Sequence, residues 1–504
     1  MVHFLRGAKR PQTNSLTASC RGVLLCLKLV IERIIRSLKT RLLLSNSFSF
    51  TVFHSNWQYF THSNSQQFTV IHCDEPNTGF EPRLISAYFF ARWSGWRLPC
   101  YALHVILKTN QDRRRTEMKI LITTDCYTPM INGVVTSIRN LETQLRSRGH
   151  EVKILCPSQY LHGESRDNIV RIGSIGAGKF CNGARAAVCF RKSSLQKLID
   201  WKPDVIHAQS EFFSFAMAKR IAAAVNCPIV HTYHTIYEDY THYFSPSIAL
   251  GRKAVVTMTR HVLQYAEAVI APSRKVETLL RSYGVQKPIA VIPTGLDLQR
   301  FETRFPQLQV DTLKRSLEIS PEQKVLLTVG RVAKEKNLAE LLDYFGRLSL
   351  PDAVLCIVGG GTYLETLRQL AAEKGIADRV IFTDAVSPDK IPLYYQIGDI
   401  FLSASQSETQ GLTYLEALAS GLPLVCRKDA CLDDIVTDGW NGGLYTSFEP
   451  FQKWITAFCG DAAVTQQLSR HAVQTAERFS AAGFAEKVEF CYQEVLKNWK
   501  MQSA

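Results

Sequence analysis

No run of about 18 consecutive uncharged apolar residues occurs in the 504-residue chain, so a membrane-spanning helix is not expected and any membrane contact is peripheral. The 14 cysteines form no CxxC pair and no Cys/His cluster at zinc spacing, and a chain of this length needs no covalent staples; they read as reduced cytosolic thiols. The GxGxxG fingerprint with an acid downstream is missing, which counts against a nicotinamide dehydrogenase. The start of the chain does not read as a signal peptide, because no short apolar core and small-residue cleavage site follow a basic opening. What is there is 46% apolar and long enough for two or three domains, each with a sizeable core.

The formal charge of +14 invites a nucleic-acid or membrane-surface partner, but its location matters more than its size. Residues 1–117 hold 16 Lys and Arg against 6 Asp and Glu, so most of the excess lies there. No recognised nucleic-acid module accompanies it, and nucleic acid is not expected as a partner. The same 117 residues, rich in Ser, Phe, His, Trp and Asn, sustain no alternation of strand and helix. They read as an extension that is either disordered or a mistaken upstream start. A membrane-associating extension and a small folded domain are the alternatives, and the stretch from Gly22 to Leu44, with Lys28, Arg33, Arg36, Lys39 and Arg41 among leucines and isoleucines, suits an anionic bilayer surface.

At Met118 the text becomes regular. MKILITTD reads as a strand, Gly133 to Arg148 as an amphipathic helix closed by Gly149, and EVKILCP as the next strand, which is a βαβ unit. The alternation continues to AVIPTG and restarts at KVLLTVGR. The expected class is α/β, with two doubly wound Rossmann-like domains, 118–297 and 298–483, facing a cleft, and a final helix over 484–504. Such sheets bind ligands at the carboxyl ends of their strands where strand order reverses, although the fold alone assigns no chemistry.

Five constellations fall at such strand ends. In IFLSASQSETQGLTYLEALASGLPLV, Glu408 lies in a polar loop and Glu416 one turn into a short helix. The unpaired amides of Gly411, Leu412 and Thr413 at the helix start can hold a diphosphate, with Glu416 reaching a ribose diol and Glu408 facing the sugar. The alternative is a loop acid and an acid near the positive end of a helix dipole. Arg331 and Lys336, five apart just after a strand, suit a leaving diphosphate whose charge grows as its bond breaks; a solvated basic pair is the bland reading. Gly359, Gly360 and Gly361 form either a nucleotide approach or a tight turn. In the first domain, Gly133 follows Asn132 at a helix start, where its amide can approach a phosphate across the cleft. PIVHTYHTIYEDYTHYF carries His234, with His231, Tyr237, Asp239 and His242 as weaker acceptor-side candidates.

Taken in order, Gly133, His234, Arg331, Lys336, Glu408 and Glu416 resemble the motif set of retaining glycosyltransferase family 4, whose members have the GT-B fold. The resemblance covers nearly all of 118–480. It implies a nucleotide-sugar donor held mainly by the second domain, transfer with retention, Arg331 and Lys336 on the departing phosphates in place of a metal, and His234 beside the reacting sugar. No cofactor is expected, since the nucleotide sugar is a substrate. The sequence departs from the family around Gly360, where an acid and a following proline are usual. The phrases GVVTSIRNL, DVIHAQSEF and HTYHTIYEDYTHY are similar to the bacterial 1,2-diacylglycerol 3-alpha-glucosyltransferases. That implies UDP-glucose as donor, diacylglycerol as acceptor and a place on the cytoplasmic face of a membrane. Lys179, Arg185, Arg191, Lys192 and Lys197, interleaved with Phe180, Val188, Phe190 and Leu195, are the candidate contacts with anionic lipid; a solvated charged face is the alternative. Another acceptor, such as phosphatidylinositol, a glycosylated diacylglycerol or a sugar phosphate, remains open, as does a non-catalytic sugar-nucleotide or membrane-surface binding protein.

Overall fold

The computed structural model describes residues 67–71, 84–88, 117–176, 185–189, 192–243 and 247–503. The chain divides into two units, Met1–Arg113 and Arg114–Ala504. In the first, β1 (Gln67–Ile71) pairs antiparallel with β2 (Leu84–Tyr88), Gln67 opposite Tyr88. The basic stretch from Gly22 to Leu44 lies outside the described residues.

The second unit holds two α/β halves. The first half is built on β3 (Lys119–Thr123), β4 (Glu151–Pro157), β5 (Glu164–Arg166), β6 (Ile169–Gly176), β7 (Arg185–Cys189), β8 (Val205–Ala208), β9 (Ile229–Thr232), β10 (Ala268–Ala271) and β11 (Ile289–Val291). Their order is β11-β10-β9-β8-β3-β4-β6-β5, with β7 on β6, and only the β5 and β7 pairings are antiparallel. The second half has β12 (Lys324–Val329), β13 (Ala353–Val358), β14 (Val380–Phe382), β15 (Ile400–Ser403), β16 (Leu424–Arg427) and β17 (Gly442–Tyr445), all parallel, in the order β14-β13-β12-β15-β16-β17. Central strands such as β8, β9, β10, β13 and β15 are buried at every residue, because helices cover both faces of a parallel sheet; this is why they read as unbroken apolar runs.

Strand order reverses once in each half. The chain runs from β3 outward to β4 and β6, then returns to β8 on the other side of β3. In the same way it runs from β12 to β13 and β14, then returns to β15 beside β12. Loops leaving β3 and β8, and those leaving β12 and β15, therefore diverge and leave crevices at the carboxyl edges.

The last helix, Ala481–Ser503, does not stay with the second half that precedes it. Phe484, Val488 and Tyr492 pack into the first half's core beside Ile138, Leu141 and Leu145 of the Gly133–Ser147 helix. Both crossings between halves are bonded together, Leu296 N–H to the Phe479 carbonyl at 2.8 Å and Ala481 N–H to the Leu296 carbonyl at 2.8 Å. A side chain at Gly295 would begin 2.5 Å from Phe484 Cβ, so only glycine lets the strands cross this closely. Buried Glu489 accepts from Arg148 Nε at 2.5 Å and lies 3.5 Å from His150 Nε2. Removing it strands a largely buried guanidinium, so Glu489→Ala is expected to cost on the order of 2 kcal/mol. Scanning calorimetry should show a lower thermal midpoint for this variant and none for Glu486→Ala, which is on the exposed side of the same helix.

Candidate functional site

The second half's crevice lies between the loops after β12 and β15. After β12 the chain turns through Gly330 (φ 150°), and Gly359 and Gly361 after β13 pack against it so closely that a Cβ would sit 1.9 Å from the Gly330 carbonyl oxygen and 2.0 Å from that of Val332. The glycine run thus lets two loops touch backbone to backbone. Arg331 bonds Glu335, four residues on, and is half exposed. Lys336 closes a short 3₁₀ turn, Lys334–Lys336, and its Nζ bonds Glu408 Oε1, arriving from the loop after β15. Lys336 and Glu408, 72 residues apart, meet because β12 and β15 are neighbours at the switch point.

Gly411 ends that loop and begins the Leu412–Ala419 helix in the left-handed region, φ 80°, where a Cβ would lie 2.3 Å from the Tyr414 ring. No side chain caps this helix, so Leu412 and Thr413 sit in a first turn that offers its amides to a ligand. Glu416 is one turn in and accepts from Tyr395 Oη at 2.8 Å; burial raises the pKa of its carboxyl.

Across the cleft, Asn132 caps the Gly133–Ser147 helix through Val135 N–H at 2.9 Å. A Cβ on Gly133 would stand 3.6 Å from Leu412 Cδ1 of the other half. His234, just past β9, has its Nε2 2.6 Å from Gln209 Oε1 and its backbone carbonyl accepting from Thr409 Oγ1 at 3.2 Å. Burial, with His231 beside it, lowers the pKa of His234 to about 3, so the ring is neutral at physiological pH. Gly133, His234, Lys336, Glu408, Leu412 and Thr413 are therefore brought to one cleft, with Arg331 and Glu416 at its second-half side.

Sequence reasoning passed over the residues that hold the cleft together. The loop bearing Glu408 is tied to the first half by Ser273 Oγ donating to the Thr409 carbonyl and by Lys275 Nζ donating to the Gln406 carbonyl at 2.7 Å, while Lys275 also pairs with Asp429, beyond β16, at 2.8 Å. Buried Gln410 accepts from Thr294 N–H at 2.7 Å and donates to the Thr294 carbonyl at 3.0 Å. Buried Glu211, beyond β8, accepts from Tyr237 Oη and lies 3.3 Å from His231 Nε2. Asp125, beyond β3, accepts from the amides of Phe212 and Ser214, and burial raises its pKa to about 6. Lone Gln, Ser and Thr residues carry no motif; their position after predicted strands was the one available signal.

Among the proposed lipid-facing cations, Lys179 and Arg191 lie outside the described residues, Lys192 opens the Lys192–Trp201 helix, and Lys197 is exposed on it. Arg185 turns inward, donating to Ser174 Oγ at 2.7 Å and to the Gln159 carbonyl at 2.7 Å. His242 sits in a 3₁₀ segment, Tyr237–Tyr243, after His234, and burial raises the pKa of Asp239 in the same segment.

Residues 131–300 match Glycosyltransferase Family 4, and residues 309–472 match Glycosyl transferases group 1. The chain belongs to glycosyltransferase family 4. As a family 4 glycosyltransferase it is 38% identical over 334 residues to the alpha-monoglucosyldiacylglycerol synthase of Streptococcus pneumoniae, covering 65% of this chain and 75% of that protein. It is 32% identical over 391 residues to the protein of the same name from Acholeplasma laidlawii, covering 75% and 98%. In fold it is similar to Anabaena HepE, solved with UDP and glucose, at TM-score 0.60 and 18% identity, covering 75% of this chain and all of that one. The two halves have the GT-B architecture of these transferases.

With the loop after β15 held by Lys275, Lys275→Ala is expected to speed hydrogen exchange at residues 405–411 while leaving β15 protected; hydrogen-exchange mass spectrometry reads both segments in one experiment.

Proposed function

We propose that this glycosyltransferase moves glucose from UDP-glucose onto diacylglycerol, with retention of configuration and without a metal, at the anionic cytoplasmic face of a membrane. The observation that carries the reading is the Lys336–Glu408 pair at the second half's switch point, facing Gly133 and His234 of the first. The names of the two synthase relatives support the sugar and the acceptor.

The diphosphate of the donor binds at the uncapped Leu412–Ala419 helix start and draws Lys336 and Arg331 to its oxygens. Glu408, released from Lys336, then accepts hydroxyls of the sugar, and Glu416 takes the ribose. As the bond from the sugar's anomeric carbon to the phosphate oxygen breaks, its electron pair goes to UDP, where two cations stabilise the growing charge. The acceptor hydroxyl attacks from the face UDP leaves, and its proton passes to the departing phosphate oxygen. His234 is neutral, so it sits beside the positive sugar without repelling it.

The acceptor side is supported by where apolar surface is exposed. Single exposed aliphatic residues are ordinary, but in the first half Ile131, Tyr160, Leu161, Phe212, Ile248 and Leu250 all lie beyond carboxyl ends of its parallel strands, on the edge that opens to the cleft. The helix Ile248–Leu263 carries Arg252, Lys253 and Arg260 and no acid, a composition complementary to anionic headgroups. Its outer stripe, Leu250, Lys253, Ala254, Thr257, Met258 and His261, is an open and mostly apolar strip.

Full-length protein incubated with radiolabelled UDP-glucose and diacylglycerol in anionic mixed micelles should yield labelled glucolipid, and Lys336→Ala should lower kcat/KM by about 100-fold or more. Label found only on a sugar phosphate, a phosphatidylinositol or water would overturn the acceptor, and activity lost to a chelator and restored only by a divalent cation would overturn metal independence. The double change Ile248→Ser and Leu250→Ser is expected to weaken co-sedimentation with phosphatidylglycerol vesicles by roughly tenfold, while unchanged sedimentation would remove this helix from the membrane contact.

A further inference from the structure

His234 is joined to the rest of its half through one ring nitrogen. Nε2 lies 2.6 Å from Gln209 Oε1, and no bond is formed by Nδ1 among the described residues. Gln209 is itself fixed: it is buried, 3% exposed, at the carboxyl end of β8, with its backbone N–H bonded to the Thr123 carbonyl at 2.8 Å. The Gln209 side-chain nitrogen is buried without a partner. An amide that leaves its own donor unmatched so that its oxygen meets an imidazole is an arrangement of some cost. The backbone of His234 is held from the other half, by Thr409. Ring and backbone are thus both fixed, one from each side of the cleft.

We infer that Gln209 is a positioning residue: its carbonyl oxygen holds His234 as the Nε2–H tautomer, so that Nδ1 presents a lone pair that accepts a hydrogen bond from a hydroxyl of the bound donor sugar. This rests on the proposed place of His234 beside that sugar. A carboxamide oxygen, like a carboxylate oxygen, can only accept, so the imidazole nitrogen that faces it must carry the proton. An accepting Nδ1 pulls on the O–H of the sugar and leaves more electron density on the ring carbons, where positive charge grows during transfer. It also disfavours a sugar carrying a carboxylate at that position, because two lone pairs would face each other.

The titratable groups around the ring are His231 on its own strand and His207 on the neighbouring one, with Glu211 next to His231 and the loop of Glu408 and Thr409 opposite. Burial lowers the pKa of His207 as well, so that ring is neutral at physiological pH. In the parent protein His234 is neutral above about pH 4, since its pKa falls to about 3, and it contributes no acid limb to the activity profile between pH 5 and 8.

Three variants test this in the full chain, with UDP-glucose turnover measured against pH. Gln209→Glu places an anion against Nε2, which raises the pKa of His234; as pH falls through the raised value, Nδ1 gains a proton and the accepting lone pair is lost. An acid limb between pH 5 and 7, absent from the parent, is the expected result. Gln209→Leu frees the tautomer and is expected to lower kcat roughly tenfold, the effect of one well-placed hydrogen bond, with KM within about twofold and no new limb. A flat profile for Gln209→Glu, or full kcat for Gln209→Leu, overturns the inference. His234→Ala separates the two layers: full activity there sinks the place of His234 in the reaction, whereas an inactive His234→Ala beside a fully active Gln209→Leu sinks only the role of Gln209. Ring ¹⁵N shifts of His234, assigned by difference from His234→Ala, should report a protonated Nε2 in the parent and a mixture of tautomers in Gln209→Leu.

Discussion

The cleft depends on the pairing of Gln410 with Thr294. A side-chain amide is used there as a piece of backbone: it takes the N–H and offers an N–H to the carbonyl of a residue 116 positions earlier, at the end of the first half. Both groups of Thr294 are buried, and leaving either unbonded would cost about 1 to 3 kcal/mol. The loop between β15 and the Leu412–Ala419 helix is therefore held where the two halves meet. Glu408 lies two residues before that anchor, and Gly411 one residue after it. Thr409, between them, reaches the His234 carbonyl. One short segment fixes Glu408, the helix start and the histidine across the cleft together.

The second half supplies ionised groups, Lys336, Arg331 and Glu408, at strand ends only partly covered. The first half supplies Gly133, which adds no side chain, and a histidine that burial keeps uncharged. Two of its carboxylates are tied into the scaffold, Glu211 with Tyr237 and His231, and Asp125 at the start of the Phe213–Val225 helix. In the proposed reaction a departing diphosphate and an electron-poor sugar need different surroundings, and the two switch points contribute different groups from separate sheets.

How much of this was legible in the sequence follows from the range of each signal. The parallel strands were readable because full burial on both faces leaves continuous apolar runs, as in AVLCIV and IFLS. The helix start at Leu412 was readable from a glycine before an apolar stretch, and the structure adds that Gly411 adopts φ 80° against the Tyr414 ring. Arg331, Lys336, Glu408 and Glu416 were legible through spacing and resemblance. By contrast, Gln410–Thr294, Lys275–Asp429 and Gln209–His234 join residues with no local pattern, each set by how sheets and loops pack. The final helix shows the same limit. Its amphipathic text announced a helix, but nothing within 484–500 told which half its apolar face would cover; Tyr492 reaching His207 at 2.6 Å answers that only in three dimensions.

The return of that helix has a consequence for how the halves can move. Two crossings, at Leu296 and at Phe479 to Ala481, are bonded side by side, so a hinge between the halves must bend at both together. Gly295 meets Phe484 there with no room for a side chain, and Asn140 Nδ2 donates to the Gly295 carbonyl at 2.9 Å. Asn140 belongs to the helix that begins at Gly133. A rotation at the crossing therefore acts on the same rigid helix whose first residue faces Leu412, about two turns away. The double crossing and the cleft-facing Gly133 are two ends of one lever, and opening the cleft at one end requires strain or slip at the other.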